Sequence, residues 1–132
     1  MFHYANLSDF EFELLCRDIM ERKIGCPLRC FAPGRDGGVD ITETKLSGKH
    51  MVQVKHYIDS PYPTLLSSLK KELPKVKQKQ PQHYYVCCGK KLTACNISEI
   101  YQLFSDYMDD AEAVVDLMEI DRFLHKKENA DI

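Results

Sequence analysis

The amino-acid sequence predicts a mixed α/β domain in which helices flank a central sheet. The chain has 132 residues, of which 44% are apolar, and this is enough to bury one core. A first helix pattern precedes three short strand patterns, and a lysine-rich helix pattern then precedes a further apolar strand. This order, α-β-β-β-α-β-α with a crossover helix before the fourth strand, predicts one domain over residues 1–132 with a mixed sheet.

The first half of the chain contains the first helix and three strands. Ser8, with Glu11 three residues later, forms a capping-box pattern that starts a helix over residues 8–22. The strands are expected at residues 28–32, 39–44 and 50–57. A turn signal at residues 47–48 makes residues whose numbers sum to about 95 face each other. Asp40 is then opposite or diagonal to Lys55.

The second half begins with the lysine-rich helix, which is expected over residues 62–76. Pro61 and Pro63 mark its start, because proline is tolerated in the first turn of a helix. Pro74 is expected near its end, because proline interrupts a helix interior. The remaining elements are a strand at 83–88, a helix at 96–107, a strand at 113–117 and a helix at 120–127.

Composition excludes several classes of protein. No apolar run approaches the ~20 residues that span a bilayer, and the first residues lack a signal-peptide pattern, so a cytoplasmic protein without a membrane partner is expected. The six cysteines are expected to be reduced thiols, because a chain of this length needs no disulfide framework. Structural zinc is disfavoured, since no paired C-x-x-C motif is present.

Charge is unevenly distributed along the chain. Residues 70–91 contain seven lysines and the lone acid Glu72, whereas residues 106–131 contain nine acids and three basic residues. Such a basic block can neutralise backbone phosphates of a nucleic acid. It can equally be the solvated face of a helix, and the sequence leaves both interpretations open.

Polar residues on two neighbouring strands form a candidate catalytic site. A Gly-rich segment, residues 34–38, leads to Asp40 at the start of one strand, and its glycines allow close approach of the backbone to a ligand. Gln53 and Lys55 on the next strand are two residues apart and therefore share a face, while Val52 and Val54 face the apolar side. This layout is typical of a metal-dependent nuclease.

The first helix adds a second acid to this candidate site. Glu13 lies at the edge of the apolar arc of the helix, from which it could reach the sheet. The alternative is an exposed i,i+4 ion pair with Arg17.

These motifs resemble the Mrr-like restriction endonuclease branch of the PD-(D/E)xK nuclease superfamily. Members often carry D-G-G-x-D followed by Q-x-K, which stand here at residues 36–40 and 53–55, and an F-E pair in the first helix, here Phe12 and Glu13. The motifs cover roughly the first sixty residues, and the order of elements covers the rest. The resemblance implies a restriction-endonuclease-like core.

The implied chemistry is Mg²⁺-dependent hydrolysis of phosphodiester bonds, with Mn²⁺ as a possible substitute. Asp40 is expected to bind the metal together with Glu13 and the backbone carbonyl of Val54. Lys55 is expected to orient the attacking water or stabilise the transition state. Gln53 stands where many members have an acid, and its neutral amide favours one metal over two. The expected catalytic set is thus Asp40, Gln53, Lys55 and Glu13.

The expected partner is double-stranded DNA, contacted through its backbone, with RNA left as an alternative. The residues expected to contact it are Arg35, Asp36, Lys70, Lys71, Lys75 and Lys77. His56 is expected to face away from Lys55 and to have a packing role. Two non-enzymatic alternatives remain open, namely a catalytically weak nucleic-acid-binding or oligomerisation module and an interaction domain that uses the fold as a scaffold.

A further pattern runs from Tyr62 through the lysine-rich helix to the Tyr84-Tyr85-Val86 strand and Asn96-Ile97. It is similar to the N-terminal nuclease domains of large anti-phage STAND NTPases. The similarity implies that the chain is the N-terminal fragment of a larger defence or restriction protein, cut at a linker. Activity is then expected to need a homo-oligomer, a dimer or tetramer, because a double-strand break requires two sites.

Overall fold

Five strands form one mixed sheet. The structure, a computed structural model, describes residues 7–25, 27–30, 39–43, 50–57 and 59–126. The strands are β1 (Leu28–Cys30), β2 (Val39–Glu43), β3 (His50–Lys55), β4 (His83–Cys88) and β5 (Val114–Val115), and they lie side by side in this order. β1 with β2 and β2 with β3 are antiparallel, whereas β3 with β4 and β4 with β5 are parallel. The predicted mixed sheet is confirmed.

Helices cover both faces of this sheet. They are α1 (Asp9–Ile24), α2 (Tyr62–Lys79), α3 (Ala94–Leu103) and α4 (Leu117–Leu124). On one face Val52 and Val54 belong to an apolar cluster with residues of α1 and α4. On the other face Met51 belongs to a cluster with residues of α2 and α3. β3 is therefore buried on both sides, which is typical of a strand with a parallel neighbour under a crossover helix.

The start of α1 agrees with its capping pattern. Ser8 accepts a hydrogen bond from the backbone N–H of Glu11, and the Glu11 side chain accepts one from the backbone N–H of Ser8. The pair satisfies two backbone donors that the first turn of a helix leaves without partners. The predicted capping box is therefore confirmed, although α1 extends to Ile24 rather than to Arg22.

Two boundaries around α2 differ from the predicted ones. β3 ends at Lys55 instead of residue 57, because Tyr57 has a φ of 36°, in the left-handed region that a strand cannot contain. α2 continues through Pro74 to Lys79. Its last turns are retained because Val76 is fully buried in the core, and this packing offsets the hydrogen bond that proline removes.

The C-terminal elements are shifted from their predicted positions. α3 begins at Ala94 because Thr93 caps it, accepting from the backbone N–H of Asn96. Leu117 was expected in a strand but is the first residue of α4, because Asp116 accepts from the backbone N–H of Glu119 and so begins the helix early. β5 is correspondingly reduced to two residues. β4 has its predicted bounds.

Two composition-based expectations can be compared with the described part of the chain. None of its helices is long and apolar enough to cross a bilayer. The cysteines with described side chains, Cys16, Cys87, Cys88 and Cys95, form no disulfide, as expected. Cys26 lies outside the described residues, and of Cys30 only the backbone is described.

Candidate functional site

The backbones of β2 and β3 bring the two halves of the sequence motif together. Asp40 pairs directly with Gln53, so paired residue numbers sum to 93 rather than about 95. Lys55 lies two residues beyond Gln53, which makes it diagonal to Asp40, one of the two predicted positions. Of Asp40 only the backbone is described, while Arg35 and Asp36 lie outside the described residues.

Gln53 and Lys55 are both buried. Val52 and Val54 pack towards α1 and α4, so the alternation of a strand directs Gln53 and Lys55 towards α2. Gln53 is 0% and Lys55 3% exposed. The predicted separation of polar and apolar faces is confirmed, but the polar pair lies under a helix and not on an open surface.

A carboxylate from α2 meets the predicted catalytic lysine. The Nζ atom of Lys55 donates to Oε1 of Glu72 at 3.1 Å, and the two side chains are 2% and 1% exposed. Nζ of Lys75 lies 3.2 Å from the other carboxylate oxygen, Oε2. One buried negative charge thus lies between two ammonium groups.

Glu72 is not among the site residues that the sequence motifs predict, since in the sequence it stands out only as the lone acid of a lysine block. A signal was present, because Leu65, Leu69, Glu72 and Val76 form the buried stripe of α2 at helical spacing. An acid within an apolar stripe is expected to have a buried cationic partner.

A large cavity opens beside this ion pair. Its volume is about 540 Å³. It is lined by Lys55, Tyr57, Pro63, Thr64, Ser67, Ser68, Lys71 and Glu72. The lining has four hydroxyl-bearing residues, two lysines and a single acid, so it suits an anionic ligand.

Tyr57 packs over the ammonium group of Lys55. Nζ of Lys55 lies 5.9 Å from the centre of the Tyr57 ring, within the range of a cation–π contact. The phenol donates to Oγ of Ser68 on α2 at 3.1 Å. The left-handed backbone of Tyr57 is strained for a non-glycine residue, and such strain is characteristic of functional sites.

Glu13 reaches the same end of β3 from the opposite side. A smaller cavity of about 50 Å³ is lined by Asp9, Glu13, Val54, Lys55, His56 and Tyr57. Burial raises the pKa of Glu13 above its ordinary value, the nearby Asp9 raises it further, and His56 opposes the shift. Arg17 forms ion pairs with Asp18 and Glu21. The alternative interpretation of Glu13, an exposed ion pair with Arg17, is therefore not observed.

His56 packs against α1. Its ring stacks on Phe12 at 4.5 Å between centroids, and Nδ1 lies 2.8 Å from Oδ1 of Asp9. Since an ionised carboxylate only accepts hydrogen bonds, the imidazole Nδ1–H donates in this pair. The predicted packing role of His56, on the side away from Lys55 and Glu72, is confirmed.

The lysines proposed to contact DNA divide into two groups on α2. Lys71 lines the large cavity, and Lys75 contacts Glu72 next to it. Lys70 and Lys77 are exposed and seven residues apart, which places them together on another side of the helix.

The donors near Glu13 are compatible with Mg²⁺. The small cavity is lined by two carboxylate residues, Asp9 and Glu13, and by Val54, and oxygen atoms are the ligands that this ion prefers. Within the ranges that the structure describes, no group of three acidic, histidine or cysteine side chains forms a metal cluster. A complete site therefore needs a further donor. Val39, the neighbour of Asp40, is the β2 partner of Val54.

Comparison with known proteins identifies a family to which this chain belongs. A family model described as restriction endonuclease (Mrr_cat) matches residues 4–89, which include every candidate catalytic residue and Glu72. The uncharacterized protein y4cD of Sinorhizobium fredii (strain NBRC 101917 / NGR234) is 28% identical over 102 residues. That alignment covers 77% of this chain and 16% of the relative, so the chain spans a small part of the relative's length. No solved structure matches.

Proposed function

Because this chain belongs to the Mrr catalytic-domain family of restriction endonucleases, we propose that it is a Mg²⁺-dependent endonuclease that hydrolyses phosphodiester bonds of double-stranded DNA. The observation that carries the proposal is the position of Lys55. Its ammonium group lies between Glu72 of α2 and the Tyr57 ring, and the residue lines both cavities and is diagonal to Asp40 in the sheet.

Five residues make up the proposed site. Asp40, Glu13 and the backbone carbonyl of Val54 would hold the metal, which would neutralise charge on the phosphoryl oxygens and lower the pKa of the attacking water. Lys55 donates hydrogen bonds to that water or to a phosphoryl oxygen. Gln53 is neutral and adds no charge to balance a second cation, so we infer a single metal, with Mn²⁺ able to replace Mg²⁺.

The ammonium of Lys55 is suited to stabilise the transition state. A charge that is already oriented costs no reorganisation when negative charge develops on the phosphate. Here the orientation comes from contacts with Glu72 and the Tyr57 ring in a buried environment, where electrostatic interactions are stronger than in water.

Binding of DNA is proposed to use the basic side of α2. Lys71 borders the large cavity and Lys75 lies beside it, so both can reach the phosphates around a scissile bond. Lys70 and Lys77 would extend the contact along the backbone. Arg35 and Asp36 would add contacts from the Gly-rich segment, and contacts of these kinds give affinity without sequence readout.

We further propose that the domain acts within a larger cytoplasmic restriction or anti-phage defence protein, as the effector of a STAND-type NTPase. The length of the y4cD protein, in which the aligned region is 16%, supports a multidomain setting. A dimer or tetramer is proposed because cutting both strands needs two sites. The alternative is a catalytically weak nucleic-acid-binding or oligomerisation module, which is consistent with a neutral Gln53 where many members of the superfamily have an acid.

The proposed activity is tested with supercoiled plasmid. Wild-type protein over a wide concentration range is incubated with Mg²⁺, Mn²⁺ or EDTA, together with Asp40→Ala, Lys55→Ala and the exposed control Lys126→Ala. We expect metal-dependent nicking that both site variants lose and that the control retains. Salt-sensitive DNA binding without cleavage at any concentration would instead support the binding-module alternative.

A further inference from the structure

The buried stripe of α2 contains one acid, Glu72, and its carboxylate is 1% exposed. Removing a carboxylate from water is costly, so such a group persists only with a close cationic partner. The partner is Lys55, which reaches Glu72 from a strand 17 residues earlier in the chain. The contact therefore depends on how α2 packs against the sheet.

Stability alone is a weak explanation for this pair. Buried ion pairs are often no more stabilising than apolar residues of similar volume, because desolvation offsets the Coulombic attraction. The neighbouring positions of the stripe, Leu65, Leu69 and Val76, show that apolar residues pack well against this part of the sheet. The charge at Glu72 is thus more readily explained by what it does to Lys55.

The contacts of Lys55 leave it able to act on another group. An ammonium has three donors, and one is directed to Oε1 of Glu72 at 3.1 Å. The cavity on the same side of β3 contains hydroxyl groups and Lys71, and no acid other than Glu72 lines it. The second carboxylate oxygen of Glu72 is compensated by Lys75, which leaves the three-residue cluster with a net positive charge.

We propose that Glu72 is a positioning residue that holds the ammonium of Lys55 at the border of the large cavity, where it meets a phosphate of the substrate. This inference rests on the proposed nuclease function. Without Glu72, the four-carbon stem of Lys55 would sample several rotamers, and its ammonium would be oriented only after substrate binds.

The first experiment compares Glu72→Gln with wild-type protein on a DNA duplex in Mg²⁺. Glutamine keeps the size of the side chain and its Oε1 acceptor but removes the charge. We expect kcat to fall by about a hundredfold while KM changes by less than about twofold, because the substrate still binds but meets a misplaced group. Glu72→Asp, which keeps the charge, should recover part of the rate.

Glu119→Gln is the matched control, since it removes a carboxylate that forms a surface ion pair with Arg122 at 2.6 Å. Its kcat should equal that of wild-type protein. Circular dichroism and thermal unfolding establish which variants are folded. If Glu72→Gln does not fold, Glu72→Asp tests the proposal instead. Its carboxylate is one methylene shorter and should still lower kcat while leaving KM nearly unchanged.

A double-mutant cycle with Lys55→Ala, measured on the residual single-turnover rate at high protein concentration, tests whether Glu72 acts through the lysine. Glu72→Gln should not slow the Lys55→Ala variant further, because the group that it positions is already absent. Additive losses would mean an independent role for Glu72 and would overturn the proposal.

The remaining outcomes separate the two proposals. If wild-type protein cleaves DNA and folded Glu72→Gln cleaves equally well, the positioning role is rejected and the nuclease function stands. A higher kcat in Glu72→Gln would also reject it, since Glu72 would then restrain Lys55. If wild-type protein does not cleave under any metal condition, both the nuclease function and the role that depends on it are rejected.

Discussion

Gly89 donates its backbone N–H to the carbonyl oxygen of Lys55 at 3.0 Å. This bond joins the end of β3 to the residue that follows β4. A Cβ atom at position 89 would lie 2.1 Å from the carbonyl oxygen of His56, so the close approach of the two backbones requires glycine. The position of Lys55 therefore depends on a backbone contact as well as on its side-chain partners.

Replacement of Gly89 should disturb this contact. We expect Gly89→Ala to lower the free energy of unfolding by about 2 kcal/mol or more, because backbone atoms must move to relieve the clash. Urea denaturation measures the change. Gly25→Ala is the comparison: Gly25 has a φ of 83° but open space around it, so its cost should be only about 1 kcal/mol of backbone strain. Equal losses in both variants would contradict the clash.

The Lys55–Glu72 pair should behave differently in stability and in activity. Lys55→Met leaves a buried carboxylate facing only Lys75, and it should lower the free energy of unfolding by about 3–5 kcal/mol. Adding Glu72→Leu should restore most of this stability, since no buried charge remains to be compensated. Both variants should lack nuclease activity. A double variant no more stable than Lys55→Met, measured by urea denaturation, would show that the pair itself stabilises the fold.

Glu13 should show an inverse relation between stability and activity. Its pKa is raised, first by burial and then by Asp9, so the folded state favours the protonated form and the charged form lowers stability at neutral pH. Glu13→Gln should therefore unfold at a higher temperature than wild-type protein at pH 7, while losing activity. This advantage should vanish as the pH falls below about 4.3, where glutamate is protonated in the unfolded chain as well.

The pKa of Glu11 is shifted in the opposite direction to that of Glu13, which makes Glu11 a useful comparison. Its pKa is lowered by the hydrogen bond from the backbone N–H of Ser8, so its charged form stabilises the folded state. Glu11→Gln should lose stability at neutral pH, and the loss should disappear in acid as the wild-type carboxylate is protonated. The same sign of change in Glu11→Gln and Glu13→Gln would contradict the burial effect at Glu13.

The two groups of lysines on α2 should differ in their effect on DNA binding. Lys71 lines the cavity beside Lys55, whereas Lys77 is exposed on another side of the helix. Lys71→Ala should weaken binding of a DNA duplex and reduce the slope of log K against log salt by about 0.9, as for one lost phosphate contact. Fluorescence anisotropy with EDTA measures this without cleavage.

Lys77→Ala should weaken DNA binding less than Lys71→Ala, and the remote variant Lys126→Ala should bind as wild-type protein does. Equal effects of Lys71→Ala and Lys77→Ala would indicate that the whole exposed surface of α2 contacts DNA.

The described thiols should differ in reactivity. Burial raises the pKa of Cys88 to about 12, and Cys95 is exposed on α3. Brief treatment of the folded protein with iodoacetamide should modify Cys95 and leave Cys88 intact, as read by peptide mass spectrometry. Unfolding in urea should make both reactive. Rapid modification of Cys88 in the folded state would mean that β4 opens readily.

Features that depend on neighbouring residues were predictable. The capping box between Ser8 and Glu11, the bounds of β4 and the alternation that separates Gln53 and Lys55 from the valines all follow from spacings of a few residues. Two boundaries differed from the predicted ones. The end of β3 depends on the left-handed backbone of Tyr57, and the start of α4 at Leu117 depends on the cap Asp116.

Contacts between distant elements were not predictable in the same way. Lys55 and Glu72 are 17 residues apart and His56 and Asp9 are 47 residues apart, and no local pattern relates them. Which side chains meet depends on the depth and orientation at which α2 and α1 pack on the sheet. Patterns of hydrophobicity and capping act within one element, and from them the sequence specified the elements, their order and the polar face of β3. The burial of Lys55 and its pairing with Glu72 arise only when the helices close over the sheet, because desolvation makes a buried charge bind the nearest opposite charge.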